Sequence, residues 1–238
     1  MEKIALDYHP SVTFICPKKD TGEVILSGYD GSYGKPRKTG DVSRAIAYRS
    51  KPNLLGGNPQ LAEKLQGPYN TLIREIDEEV RRVDSKLDFY GKPILWATDK
   101  DLDFIRGGII PNLHPYGDFL SRAESVEGGI ATCNAINAIS STYVAVIPMD
   151  VVECIRDNIR NGKRLSNEGY IGIHYLKQLE AAGEFSTVHA TAPILNDHFG
   201  THIPYPDEIK VTRLVKNVRK KYRDYEDEFI HEDSVWKV

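Results

Sequence analysis

Four acids fall within five residues of one segment, Arg74-Glu75-Ile76-Asp77-Glu78-Glu79-Val80, and Gly56-Gly57 precede it. Positions three and four apart share a face of a helix. Glu75, Glu78 and Glu79 have that spacing, so the pattern predicts three carboxylates on one side. Asp77 points elsewhere. Carboxylates gathered in this way repel one another unless a cation sits between them. An all-oxygen set suits a hard divalent ion, Mg²⁺ or Mn²⁺. The residues therefore point to metal-assisted chemistry, with Glu75, Glu78 and Glu79 as candidate ligands.

A helix must carry these acids, and the sequence supplies one. Gly67-Pro68 opens it, with proline at a first-turn position where its missing N–H costs nothing. Leu72, Ile73, Ile76, Val80 and Val83 form an inward apolar stripe at helical spacing. Ahead of it, residues 11–16 and 23–27 read as the strands of an opening hairpin. Residues 28–41 form a glycine-rich loop bearing Lys35, Arg37 and Lys38, which suit a phosphate; the plainer reading is a solvated loop. Residues 43–49 read as a strand and 59–65 as a short helix. Residues 93–97 read as a buried strand. Residues 98–142, rich in Gly, Asn, Asp and Ser, read as a long loop and a candidate insertion. Residues 142–148 read as a strand, 151–161 as a helix and 168–180 as a strand leading into a helix. A further helix over 187–199 is expected to be broken early by Pro193.

From Pro206 onward the pattern changes. Val211, Val215, Val218, Tyr222, Tyr225 and Phe229 make a heptad stripe. The expectation is a domain over 1–205 and a C-terminal amphipathic helix over 206–238. That helix packs on its own domain or forms a homodimer contact.

Composition excludes several classes. Net charge is −3 across 238 residues, so no broad basic surface announces nucleic acid. Cys16, Cys133 and Cys154 are odd in number and widely spaced, which argues against a disulfide framework. No apolar run reaches membrane-spanning length and none resembles a secretory signal, so the expected protein is soluble and cytoplasmic, with no membrane partner. Asp99, Asp101 and Asp103 have the spacing of a calcium loop, but Phe104 and Ile110 stand where that loop needs Gly and Glu. The histidines lack zinc-ligand spacing.

Taken in order, the strand, loop, Gly-Gly, proline-opened helix and Arg74-Glu75-Ile76-Asp77-Glu78-Glu79 resemble the box of the Nudix hydrolases. That box runs Gly, five residues, Glu, seven residues, then Arg-Glu-apolar-x-Glu-Glu-x-Gly. Three departures stand out. Gly57 to Arg74 is three residues longer than the pattern. Gln66 stands at the first box Glu, with Glu63 one turn earlier as a substitute. Arg81 replaces the closing Gly. The resemblance implies an α/β fold, an α/β/α sandwich around a mixed sheet, with the C-terminal helix added. It implies a metal-dependent pyrophosphohydrolase acting on a small nucleotide derivative: a nucleotide sugar, a dinucleotide or a nucleoside triphosphate. Capped RNA is disfavoured by the near-neutral charge. It further implies Glu75, Glu78, Glu79 and Gly57 as the metal site, with Glu78 and Glu79 also catalytic. Arg74 would brace helix and loop by ion pairing.

A general base would come from elsewhere. Glu168 is the first candidate, with Glu124 and Glu127 beside it, although an isolated Glu is more often a surface carboxylate. Lys35, Arg37 and Tyr33 are the candidate substrate contacts, and Tyr29 and Tyr116 are further loop aromatics able to stack on a base. Two rival readings stand. One is the same fold with catalysis lost, kept as a nucleotide-binding or regulatory module. The other is an unrelated α/β protein whose acidic helix is a solvated face.

Overall fold

In a computed structural model of the chain, the described residues are 10–17, 21–29, 51–60, 63, 66–83, 92–123, 136–167, 169–184, 186–187, 190–207 and 209–214. They form an α/β architecture built on a mixed sheet, eight-stranded among the described residues. The strands are β1 (Ser11–Pro17), β2 (Glu23–Tyr29), β3 (Pro52–Asn53), β4 (Leu55–Gly57), β5 (Leu113–Ala123), β6 (Ile136–Ile147), β7 (Gly169–Tyr175) and β8 (Ile209–Leu214). The helices are α1 (Pro68–Glu79), α2 (Asp99–Ile109), α3 (Met149–Arg160), α4 (Leu176–Ala181) and α5 (Thr191–Phe199).

β1 organises the sheet. One of its edges pairs in parallel with β6 along its whole length, Ser11 opposite Ser141 to Pro17 opposite Ile147. The other edge is shared. β2 pairs antiparallel at Ile15, and β4 takes Ser11 to Thr13. The sheet thus forks between β1 and β2, and β4 fills the fork. β2 carries β7 on its far side and β3 near its end. β5 lies between β6 and β8, antiparallel to both.

Both faces of β1 are covered, which is why SVTFICP is buried at every position. Ile15, Ile25, Leu55, Ala145 and Ile147 pack with Leu72 and Ile76 of α1, Ile105 of α2 and Val152 of α3. Val12, Phe14, Val24, Leu26 and Val144 alternate to the other side, against Leu176 and Leu179 of α4 and Ile194 and Leu195 of α5. Among the described residues no helix is long and apolar enough to cross a membrane.

Several expectations change. Residues 93–97 are not a buried strand: Trp96 makes an isolated bridge to Arg164, and Leu95 is 58% exposed. The described part of 98–142 is not loop. It supplies α2, β5 and half of β6, and Leu102, Ile105 and Ile109 join the core. Pro193 does not break a helix. α5 starts at Thr191, so Pro193 sits in the first turn, where N–H groups have no helical partner. The C-terminal heptad helix does not begin at Val211. Residues 209–214 are β8, with Val211 opposite Ser121 of β5. The rest of that stripe, the expected strand over 43–49 and four residues of the expected helix over 59–65 lie outside the described residues.

Candidate functional site

α1 begins where the sequence demands. Gly67 precedes it at φ 89°, and Pro68 occupies its first turn. Thr71, Leu72, Ile76 and Glu79 are its buried positions. The apolar ones fix the rotation of the helix, and that rotation turns Arg74, Glu75 and Glu78 toward the segment after β4.

Arg74 is the hub. Its Nε donates to Glu63 Oε1 at 2.6 Å, its Nη2 to Glu75 Oε1 at 2.6 Å and its Nη1 to Glu78 Oε2 at 2.8 Å. Nη2 also donates to the Asn58 carbonyl at 3.0 Å. A planar guanidinium presents its donors in a fixed fork and suits this task better than an ammonium. Glu63 is held a second time by the Gln60 N–H at 2.9 Å. Gln66 is exposed, so Glu63 and not residue 66 is the acid that meets Arg74.

Glu79 behaves differently. It is 5% exposed, and its Oε1 accepts the Gly56 N–H at 2.9 Å. Gly56 has φ 134°, and a Cβ there would stand 2.2 Å from the Ser11 carbonyl oxygen. At Gly57 an added Cβ would stand 2.6 Å from the Glu75 carboxylate carbon and 2.7 Å from each of its oxygens. The Glu75 carboxylate thus lies against bare backbone. Each glycine serves one acid of α1: Gly56 donates to Glu79, and Gly57 makes room for Glu75.

The electrostatics follow from this packing. Burial pushes the Glu75 carboxyl above its usual range, against the opposing pull of its Arg74 hydrogen bond. Burial also raises Glu63, but hydrogen bonds from Arg74 and from the Gln60 amide outweigh it and leave Glu63 below the usual range. Arg74 is pushed down by burial and more strongly up by Glu63 and Glu75, so it stays charged.

The expected gathering of three carboxylates is met in part. Glu75 and Glu78 share Arg74, while Glu79 is turned to β4. Among the described residues no three acids, histidines or cysteines stand grouped as a ready cation site. The donor chemistry fits Mg²⁺ or Mn²⁺: every side-chain donor is a carboxylate oxygen, and Glu75 is a desolvated carboxylate whose charge a cation would offset. Glu75, Glu78 and Glu79, with Gly57, stay the candidates that the sequence names for such an ion.

The C-terminal end of α1 is fastened from outside. Arg106 Nη1 donates to the Val80 carbonyl at 2.9 Å, and its Nε pairs with Asp77 at 3.4 Å. The Asn167 N–H donates to the Glu79 carbonyl at 3.0 Å, and Asn167 Nδ2 donates to the Glu78 carbonyl. No sequence signal marks Asn167, because both of its partners here are backbone atoms.

Glu168, Lys35, Arg37, Tyr33, Glu124 and Glu127 lie outside the described residues, as does the side chain of Tyr29. Tyr116 is not beside the acids. It packs with Phe14, Phe119 and His198 toward α5. Its hydroxyl bonds to Asp197, and Arg213 lies over its ring at 4.5 Å. Burial and Asp197 push the Tyr116 hydroxyl up to about 12. It is a packed structural ring.

No family model, curated protein or solved structure matches the chain.

Proposed function

We propose that the chain is a divergent Nudix-type pyrophosphohydrolase, cleaving the diphosphate of a small nucleotide derivative by attack of water on phosphorus. The observation that carries this reading is the joint between β4 and α1: Gly57 lies against the Glu75 carboxylate while Arg74 ties Glu63, Glu75 and Glu78 together. With Glu63 as the acid that meets Arg74, the opening of the box is intact. Gly57, five residues and Glu63 follow the pattern, and the three extra residues fall between Glu63 and Arg74.

A bound Mg²⁺ or Mn²⁺ supplies charge neutralisation at the diphosphate and a more acidic water. The chain's own residues do the rest. Glu75, Glu78 and Glu79 offer oxygens to the ion. Arg74 fixes two of those carboxylates and stays off the substrate. Gly56 and Gly57 keep the backbone of β4 close to the acids. Glu168, Glu124 and Glu127 remain the candidates for the general base, and Lys35, Arg37 and Tyr33 for substrate contact.

The test is release of phosphate or mononucleotide from a panel of nucleotide sugars, dinucleotides and nucleoside triphosphates, with Mg²⁺ or Mn²⁺, for wild type beside Glu79→Gln. Turnover that the variant loses supports the reading. No turnover by folded, metal-supplied protein would overturn it. A second reading, a nucleotide-binding module without catalysis, is favoured by one observation. Arg74 already pairs with Glu75 and Glu78, so a cation of the protein's own sits between those acids. In that case ligands raise the melting point and none is cleaved.

A further inference from the structure

We infer that Asn167 is a positioning residue for the candidate cation ligands of α1, an inference that rests on the metal site proposed above. A helix leaves its last carbonyls without partners inside the helix. Many helices solve this with a glycine in the left-handed region just past the end. Here position 81 is Arg, and the C-cap Val80 has φ −83° and ψ 62°. The end of α1 is completed by donors from other segments.

Asn167 supplies two of them. Its backbone N–H goes to the Glu79 carbonyl and its side-chain amide to the Glu78 carbonyl. These are two of the three residues whose side chains are the candidate ligands. Arg106 supplies the third donor, to Val80. The amide orientation follows from chemistry: the Glu78 carbonyl only accepts, so Nδ2 must face it. Among the described residues Asn167 Oδ1 is then a buried acceptor with no donor. Leaving an acceptor unsatisfied costs free energy.

Asn167 is itself held. Arg164 Nη2 donates to the Asn167 carbonyl at 3.0 Å, and Arg164 Nε to the Ser166 carbonyl at 2.6 Å. The Arg164 guanidinium lies 5.3 Å from the Trp96 ring centre. The Arg164 N–H reaches the Leu95 carbonyl at 2.7 Å, and its carbonyl takes the Ala97 N–H at 3.1 Å. The bracket from 164 to 167 therefore spans from the 95–97 segment to the end of α1. It ties the backbone carbonyls of Glu78 and Glu79 to the 95–97 segment.

The test is Mn²⁺ titration followed by electron paramagnetic resonance, well below the melting point, on wild type, Glu79→Gln, Asn167→Ala and Asn167→Asp. Asn167→Asp keeps the shape and replaces the donor with an acceptor. The expected result is binding by wild type, loss in Glu79→Gln, and affinity weakened about tenfold in both Asn167 variants, the scale of an outer-shell partner. In wild type, Mg²⁺ is also expected to slow hydrogen exchange of the Asn167 amide, and this reading decides alone if both variants fail to fold. Wild-type Mn²⁺ affinity in the folded variants, or an Asn167 amide indifferent to Mg²⁺, overturns the inference while the metal site stands. Wild type that binds no Mn²⁺ overturns the metal site and the inference with it.

Discussion

Glu79 Oε1 accepts the backbone N–H of Gly56 at 2.9 Å, a contact that spans 23 residues and ties the acidic helix to the shortest strand beside β1. Glu79→Gln keeps an acceptor oxygen for Gly56, so stability should change by less than about 1 kcal/mol. Glu79→Ala leaves that N–H without its partner and should cost about 1–3 kcal/mol. Cation binding should fall in both, beyond the roughly 100-fold that loss of an outer-shell partner costs. Urea unfolding beside Mn²⁺ titration separates the two effects. Equal stability of Glu79→Gln and Glu79→Ala would remove the structural half of the account.

Gly56 and Gly57 should fail in different ways. At Gly56 an added methyl meets the Ser11 carbonyl at 2.2 Å on a backbone with positive φ. Gly56→Ala should therefore unfold easily, with a loss above about 2 kcal/mol. At Gly57 the methyl meets the carboxylate end of the Glu75 side chain. Gly57→Ala should keep the fold and displace the carboxylate, with cation affinity down about tenfold. Thermal melts with and without Mg²⁺ distinguish the pair, and a folded, fully metal-binding Gly57→Ala contradicts the placement of Glu75.

Arg74 pairs with three carboxylates, two of them more than four-fifths buried. Arg74→Ala should cost about 2–3 kcal/mol, less than the 3–5 kcal/mol of a fully buried pair. Mg²⁺ should restore part of that loss, so the variant's melting point should rise more with Mg²⁺ than that of wild type. An equal rise would show that the ion and the guanidinium do not serve the same acids.

Acid stability should carry the signature of Glu63. Its carboxyl is held below the usual range in the folded state, so the unfolded chain binds more protons there. Its contribution is complete above about pH 4.5 and is lost as pH falls through the lowered folded value. Glu75, raised by burial, acts with the opposite sign: its contribution is complete at low pH and lost as pH rises. Urea midpoints between about pH 5 and about pH 3 should fall less steeply in Glu63→Gln and more steeply in Glu75→Gln than in wild type. Parallel curves for all three would contradict both assignments.

α1 is readable in the sequence because local rules agree there: Pro68 opens it, and Leu72 and Ile76 set its buried side. The β1–β2 hairpin, the second half of β6 and the β7–α4 join are readable for the same reason. α2 is harder. Thr98 caps it by accepting the Asp101 N–H, and Leu102, Ile105 and Ile109 have helical spacing. Gly107 and Gly108 and the cluster of aspartates give it the look of a loop. β5 contains Pro115 and Gly117, turn residues that the strand tolerates through a shift of register between them. β8 misleads because Val211 satisfies both a heptad and an alternating pattern. Only pairing with β5, distant in sequence, selects the strand. Asn167 is invisible because its role depends on where two carbonyls end.

The pair between Glu63 and Arg74 spans 11 positions. The entropy of closing a flexible loop grows only with the logarithm of its length, so three extra residues in such a loop cost about 0.3 kcal/mol. A single charge-assisted hydrogen bond exceeds that several-fold. Residues 68–73 of that stretch are helix, so a change of length at this cost falls ahead of Pro68 while Glu63 and Arg74 stay joined. Leu72 and Ile76 seat the acidic helix on the sheet, and the Glu63–Arg74 pair lets the segment ahead of it differ in length without giving up that seat.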